Sequence, residues 1–199
     1  MTLTGTVDLP LGCDFSLFYT GFSGTPYGWV INSGPAGTNG DANGDGIAGN
    51  DLVFVPADPS QITLSNPAAY DSLQNFISSQ SCLASARGAL LERNSCRNPW
   101  QDFFNLRLGW TTPQVKGSGI ELTLDIFNFL NFLSSDWGLT KQVSAFEEGP
   151  AFLSVAGYDT VNDRPIYRFT QPAVVERTVY GQTQSRWTMQ LGAKWRFGF

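Results

Sequence analysis

Trp187-Thr-Met189-Gln-Leu191-Gly-Ala193-Lys-Trp195-Arg-Phe197-Gly-Phe199 closes the chain and alternates without a break. Odd positions are apolar (Trp, Met, Leu, Ala, Trp, Phe, Phe); even positions are polar or glycine. Side chains of a strand alternate between faces, so one face here is greasy and aromatic, the other cationic and wet. The segment also runs to the chain terminus and stops on an aromatic residue, where chain ends of soluble domains usually fray. A lipid-facing barrel strand needs apolar residues outward, polar residues toward a lumen and aromatics at the interfaces. The pattern therefore predicts a strand of an antiparallel outer-membrane β-barrel.

Working back, four more segments carry the same alternation. Near 1–9, Leu3, Gly5, Val7 and Leu9 oppose Thr2, Thr4, Thr6 and Asp8. Near 13–30, Cys13, Phe15, Leu17 and Tyr19 share a face, and the strand is expected to continue through Tyr27-Gly-Trp29-Val30. Near 101–112, Phe104, Leu106, Leu108 and Trp110 turn outward with Asn105 and Arg107 inward. Near 120–130, Ile120, Leu122, Leu124 and Ile126 alternate with Glu121, Thr123 and Asp125. The closing strand spans 186–199. Connections alternate between short turns (Leu9-Pro-Leu-Gly12 and 113–119) and long stretches (31–99 and 132–184), which matches periplasmic turns and extracellular loops. Five strands fall short of the roughly eight a membrane barrel needs, and an open edge in lipid leaves main-chain groups unpaired. Further strands are therefore expected upstream, with Met1 as an internal start and no signal peptide in front of it.

Composition supports a β-rich, turn-rich chain: 199 residues with 15% charged residues, 14% aromatics, 21 Gly and 11 Pro. The net charge of −5 argues against a general nucleic-acid surface. No run approaches the roughly 18 apolar residues of a membrane-spanning helix. Histidine is absent, which removes the commonest general base and imidazole metal sites. No nucleophile motif or phosphate loop is present either, so an enzyme is not expected.

Three features within the long stretches carry possible chemistry. Asp41-Ala-Asn43-Gly-Asp45-Gly46 reproduces the first half of a calcium loop, with oxygen donors at positions 1, 3 and 5, Gly at 6, and the Ile47 carbonyl at 7. Position 12 is Leu52, not the bidentate Glu, and Asp51 is the available substitute. The alternative is an Asn/Asp/Gly loop that simply turns well. Cys82 and Cys96, with 13 residues between them, either form a loop-closing disulfide in an oxidising compartment or stay free thiols; Cys13 reads as a small hydrophobe. Asn66-Pro67 opens a helix with Tyr70, Leu73 and Ile77 on one face, as a small core or a partner surface. Tyr158, Asn162-Asp163 and Tyr167 mark a hairpin, whose Arg164 and Tyr167 either meet a substrate or pack within the hairpin itself. Asp125, Glu121, Arg107, Lys194 and Arg196 face the lumen, either as cross-strand ion pairs or toward a plug.

With these segments in view, the chain resembles the C-terminal end of Oar-like TonB-dependent outer-membrane transporters, those with a carboxypeptidase-regulatory-like N-terminal domain. The resemblance rests on Leu17-Phe-Tyr19, Ser23-Gly-Thr-Pro-Tyr27, Asp41-Ala-Asn-Gly-Asp-Gly46 and Gly49-Asn-Asp-Leu-Val-Phe-Val-Pro56. It extends through Arg93-Asn94, Cys96-Arg-Asn-Pro-Trp100, Leu122-Thr-Leu-Asp-Ile-Phe-Asn-Phe-Leu130 and Ser135-Asp-Trp-Gly138. Gln190, Gly192, Trp195, Phe197 and Phe199 also match the terminal signal read by the barrel assembly machinery. The resemblance implies a plugged barrel of about 22 strands and energised passage of a large or scarce substrate. Its partners would be outer-membrane lipid, upstream strands and plug, and an inner-membrane energy-coupling protein. Nothing in the chain corresponds to the plug, the coupling segment or the regulatory-like domain. Two soluble readings compete: a β-sandwich, and a secreted calcium-dependent β-rich adhesion or binding module.

Overall fold

A computed structural model describes residues 1–32, 40–115, 117–143, 151–181 and 184–197. The chain is mostly β and divides into two units: 1–24, 99–142 and 178–199, and 25–98 with 143–177. Among the described residues no helix is long and apolar enough to cross a membrane, which says nothing of strands.

The first unit is built by the alternating segments. They form β1 (Thr2–Leu9), β2 (Cys13–Phe22), β3 (Gln101–Thr111), β4 (Gly119–Phe127) and β5 (Thr188–Arg196). Each pairs antiparallel with its neighbour, in the order β1-β2-β3-β4-β5. This is an open sheet, not a closed barrel. The β1–β2 turn is one turn of 3-10 helix, Pro10–Gly12, with Leu11 and Gly12 at φ 66° and 77°. A Cβ on Gly12 would run into the Thr111 carbonyl, so only glycine fits that left-handed position.

Three strand boundaries differ from expectation, each for a local reason. β2 stops at Phe22 instead of running to 30. Past Ser23-Gly24-Thr25, Pro26–Tyr27 pairs with Cys96–Arg97, and Trp29 is buried in the core of the second unit. β4 stops at Phe127 instead of 130, because Asn128 turns left-handed (φ 52°) and a short helix follows at Phe129–Leu133. β5 begins at Thr188 instead of 186, three residues past the buried, left-handed Ser185 (φ 55°), whose Oγ accepts from Thr140 N–H at 2.9 Å. Phe197 lies beyond the strand, and Phe199 falls outside the described residues.

The second unit gathers both long stretches around one core: Trp29, Val53, Val55, Leu73, Phe76, Ile77, Leu83, Leu91, Phe152 and Leu153 among others. Asn66 accepts from Ala68 N–H, starting a 3-10 turn at Pro67–Ala69 that runs into α1 (Tyr70–Ser79). Leu73, Phe76 and Ile77 of α1 are buried, so its stripe is core. Phe76 packs against Trp29 (5.5 Å), Phe152 (5.0 Å) and Phe169 (6.1 Å). α2 (Ser81–Ser85) follows. The Cys82–Cys96 disulfide ties α2 to the strand at Cys96–Arg97. The marked hairpin is present: Leu153–Asp159 pairs with Arg164–Phe169, and Ile166-Tyr167 adds a parallel pairing to Thr63-Leu64. Asn98, 7% exposed, links two segments of the unit. Its amide donates to Thr25 O (3.0 Å) and Oγ1 (2.9 Å), and its carbonyl accepts from Val143 N–H.

Candidate functional site

The sheet register puts the apolar residues of all five strands in line. Directly opposed residues share a face. Val7, Phe15, Leu108, Leu124 and Leu191 form one such row; Gly5, Leu17, Leu106, Ile126 and Met189 form the next. Leu9, Cys13, Trp110, Leu122 and Ala193 form a third. Much of this surface is exposed: Val7 by 57%, Leu191 by 80% and Trp195 by 63%. Of its residues, only Ile126 is buried among the described residues. An apolar face of this extent is far larger than the scattered hydrophobics normal for a soluble surface.

Aromatic rings border that face at both ends. At the end from which the long connections leave, rings run in sequence from Tyr19 to Phe104 (6.4 Å), Phe129 (6.2 Å), Phe132 (5.9 Å) and Trp187 (5.1 Å). Three of the five belong to β2, β3 and the approach to β5. The other two come from α3 (Phe129–Leu133). At the turn end stand Trp110, whose indole donates to Leu11 O (3.2 Å), and Trp195 with Phe197 (4.4 Å). Trp187, just before β5, and Trp195 within it are eight residues apart, roughly 27 Å along a strand and about 20 Å once tilted, on the scale of a lipid-facing band.

The opposite face is largely polar, with Phe18, Phe103 and Phe127 interspersed toward one end. Thr6, Ser16, Arg107, Asp125 and Gln190 lie in one row across the five strands. Thr6 and Ser16 hydroxyls are bonded at 3.0 Å. Arg107 pairs with Asp125 (3.7 Å) and Arg196 with Glu121 (2.7 Å), so four of the five charges read as lumen-facing make cross-strand ion pairs. A cavity of ≈ 580 Å³ sits on this side, lined by β1 to β4 through Thr4, Ser16, Asn105 and Asp125 among others.

The terminal residues divide between these faces. Gln190 opposes Asp125 and Gly192 opposes Thr123 on the polar side, while Trp195 opposes Ile120 on the apolar side. A Cβ on Gly192 would sit 2.5 Å from Thr123 Oγ1. The glycine thus has a packing reason of its own, apart from any role in recognition.

The 41–51 loop is held by its own main chain. Asp41 accepts from the N–H groups of Gly44 (2.6 Å), Asp45 (3.2 Å) and Gly46 (2.8 Å). Asn43 accepts from Asp45 N–H, and Asp45 from Ile47 N–H; that last bond chiefly holds the exposed Asp45 carboxyl below its ordinary range. Buried Asp51 reaches back to the N–H groups of Ala42 (2.6 Å) and Asn43 (3.2 Å). Among the described residues no three acidic or cysteine side chains are gathered into a metal-ligand group. The donors are all hard oxygens, the type calcium takes, yet Asp41, Asp45 and Asp51 would have to draw together to share an ion.

The hairpin tip is likewise self-bonded. Tyr158 donates to Asp163 (2.7 Å), a bond that raises the phenol's pKa. The Asn162 side chain and N–H, with Val161 N–H, hold the Asp159 carboxyl low. Arg164 donates to Ser60 O, and half-buried Tyr167 packs on the core. Sequence reasoning missed α3 and its rings, although Phe129-Leu-Asn-Phe132-Leu133 carries a helical spacing directly after a strand-ending Asn. It also missed Asn98, which no local pattern marks. No protein-family model, curated protein or solved structure matches the chain.

Proposed function

We propose that this chain is the C-terminal wall segment of a transmembrane β-barrel in a TonB-dependent outer-membrane transporter of the Oar-like type, and is not an enzyme. The observation that supports it best is the register-aligned apolar face, bordered by two aromatic bands, on a sheet whose other face is largely polar. A sandwich would bury that face in a protein core, yet the core of this chain is formed by other residues, those of the second unit. The disulfide agrees with an oxidising, extracytoplasmic setting. In this reading the apolar face meets outer-membrane lipid, and β1 and β5, edge strands among the described residues, pair with further strands of the parent. The second unit faces outside the cell, and the parent's plug and inner-membrane coupling protein supply energised passage of a large or scarce substrate. The terminal residues are offered to the barrel assembly machinery. Calcium enters as a weak structural pin on the 41–51 loop, proposed on donor chemistry alone.

The second reading, a secreted calcium-dependent adhesion or binding module, draws on the folded, disulfide-tied second unit. Fractionated cells probed with an antibody to 184–199, with and without boiling, separate the two. An outer-membrane band whose mobility shifts on heating is expected. A soluble band at the mass of 199 residues, unchanged by heating, would overturn the transporter reading.

A further inference from the structure

A cavity of ≈ 450 Å³ opens in the second unit beside the disulfide, within the range of small-molecule sites, about 300–1,000 Å³. One wall carries a covalent cross-link. α1 ends there and α2 begins, and Cys82, bonded to Cys96, lines it directly. Its floor includes half-buried Tyr27 and buried Val143. Most of the remaining lining is hydroxyl and amide: Ser79, Gln80, Ser81, Ser85 and Ser95.

The hydrogen bonds of these groups show what they have left to offer. Ser79 spends its proton on Phe76 O (2.7 Å) and one lone pair on the Gln80 amide (3.1 Å), while Ser85 donates to Cys82 O (3.0 Å) and Ser95 to Glu92 O (2.8 Å). A hydroxyl that donates to the main chain keeps lone pairs for a ligand. Three of the four serines therefore present acceptors, and Glu176 adds a carboxylate. Arg97 supplies donors from the same lining. One cation and one anion leave the lining without net charge. Such a site gives no net attraction to a phosphate, and a polyamine would meet Arg97. A ligand rich in hydroxyl groups suits it, because each hydroxyl both donates to a serine or carboxylate oxygen and accepts from a guanidinium. The Tyr27 ring offers an apolar surface with a polar tip, suited to the C–H face of a sugar ring.

We propose that this cavity binds a neutral saccharide of one or two rings, with Ser79, Ser85, Ser95 and Glu176 as acceptors and Arg97 as donor. The proposal concerns the second unit alone and stands whether or not the sheet meets lipid. The test is titration of the full, disulfide-intact chain with maltose, cellobiose and mannobiose, followed by saturation-transfer NMR and calorimetry. Triglycine and spermidine serve as controls. At least one sugar is expected to saturate, with Arg97→Met and the pair Ser79→Ala/Ser95→Ala each weakening it roughly tenfold. These side chains are exposed, so the variants are expected to keep the near-ultraviolet signal of the Trp29 core. Failure of all three sugars to saturate would overturn the proposal. So would saturation by triglycine or spermidine instead, or sugar binding that both well-folded variants leave unchanged.

Discussion

Leu191→Arg is costly in lipid and nearly neutral in water. Leu191 lies four residues from Trp187 and four from Trp195, midway between the aromatic bands and near the midplane of any bilayer they bracket. At 80% exposure it gives up little protein packing when replaced, so the solvent around it dominates the cost. In hydrocarbon an arginine at the midplane costs about 2–4 kcal/mol, roughly 30- to 900-fold in the folding equilibrium. On a water-facing sheet the same change falls within about ±0.5 kcal/mol. Gln190→Arg is the control, one residue along on the polar face and opposite Asp125. Unfolding by urea from lipid vesicles, followed by tryptophan fluorescence and by mobility on unheated gels, measures both. Leu191→Arg is expected to lose about 2–4 kcal/mol and Gln190→Arg less than about 0.5. Equal, near-zero effects for the two would refute the lipid-facing assignment.

Four further outcomes follow from the second unit and its loops. Cys82→Ser or reduction, opening a closure with sequence separation 14, is expected to cost about 3 kcal/mol in a denaturant series; no change would show that the bridge does not restrain the unfolded chain. Asn98→Leu strands the Val143 N–H and removes the amide bond to Thr25 Oγ1, while the Thr25 carbonyl keeps the Asn98 main-chain N–H; it is expected to lower stability by about 1–3 kcal/mol, against little loss if water reaches the Val143 N–H. Burial raises the phenols of Tyr27 and Tyr167 in the folded state, with Glu176 adding to the shift of Tyr27. Their stabilising contribution is therefore whole below about pH 10 and lost as pH rises through the folded values, so the melting midpoint should fall above about pH 10, and a flat alkaline profile would contradict the burial. Calcium is expected to raise the midpoint only at about 0.1–1 mM or above, reversibly with chelator and less in Asp41→Asn; a midpoint indifferent to calcium at several millimolar would remove the ion from the loop.

The five strands were legible because each carries a period-two pattern long enough to exclude a helix; short turns then set the register of β1–β2 and β3–β4, while β2–β3 and β4–β5, joined by long stretches, are registered by aligning their apolar faces. What the sequence hid depends on long-range partners. Tyr27-Gly-Trp29-Val30 alternates as well as β2 does, and nothing local says that Trp29 belongs to a core completed by Phe152, far along the chain. Phe129-Leu130 extends an apolar run that reads as strand until Asn128 turns left-handed, held by Asn105 Oδ1 and by Gly138 and Arg186 carbonyls. The stretches 31–99 and 132–184 looked like loops because Gly, Asn and Ser dilute them. Their apolar residues are too dispersed to show periodicity, yet they meet in space. The cysteine spacing was compatible with a bridge, but choosing the bridge over free thiols needed the two chain segments side by side.

The shared core of the second unit has a consequence for the order in which the chain is made. Trp29, Val53 and Leu73 emerge early, but Val143, Phe152 and Leu153 complete the same cluster and follow about seventy residues behind Leu73. Until those residues arrive, the first long stretch holds an incomplete core with apolar surface open to solvent, a state exposed to aggregation and proteolysis. Exchanging one of the two long stretches between homologous chains without the other is therefore expected to destabilise the second unit, because each supplies part of the same cluster.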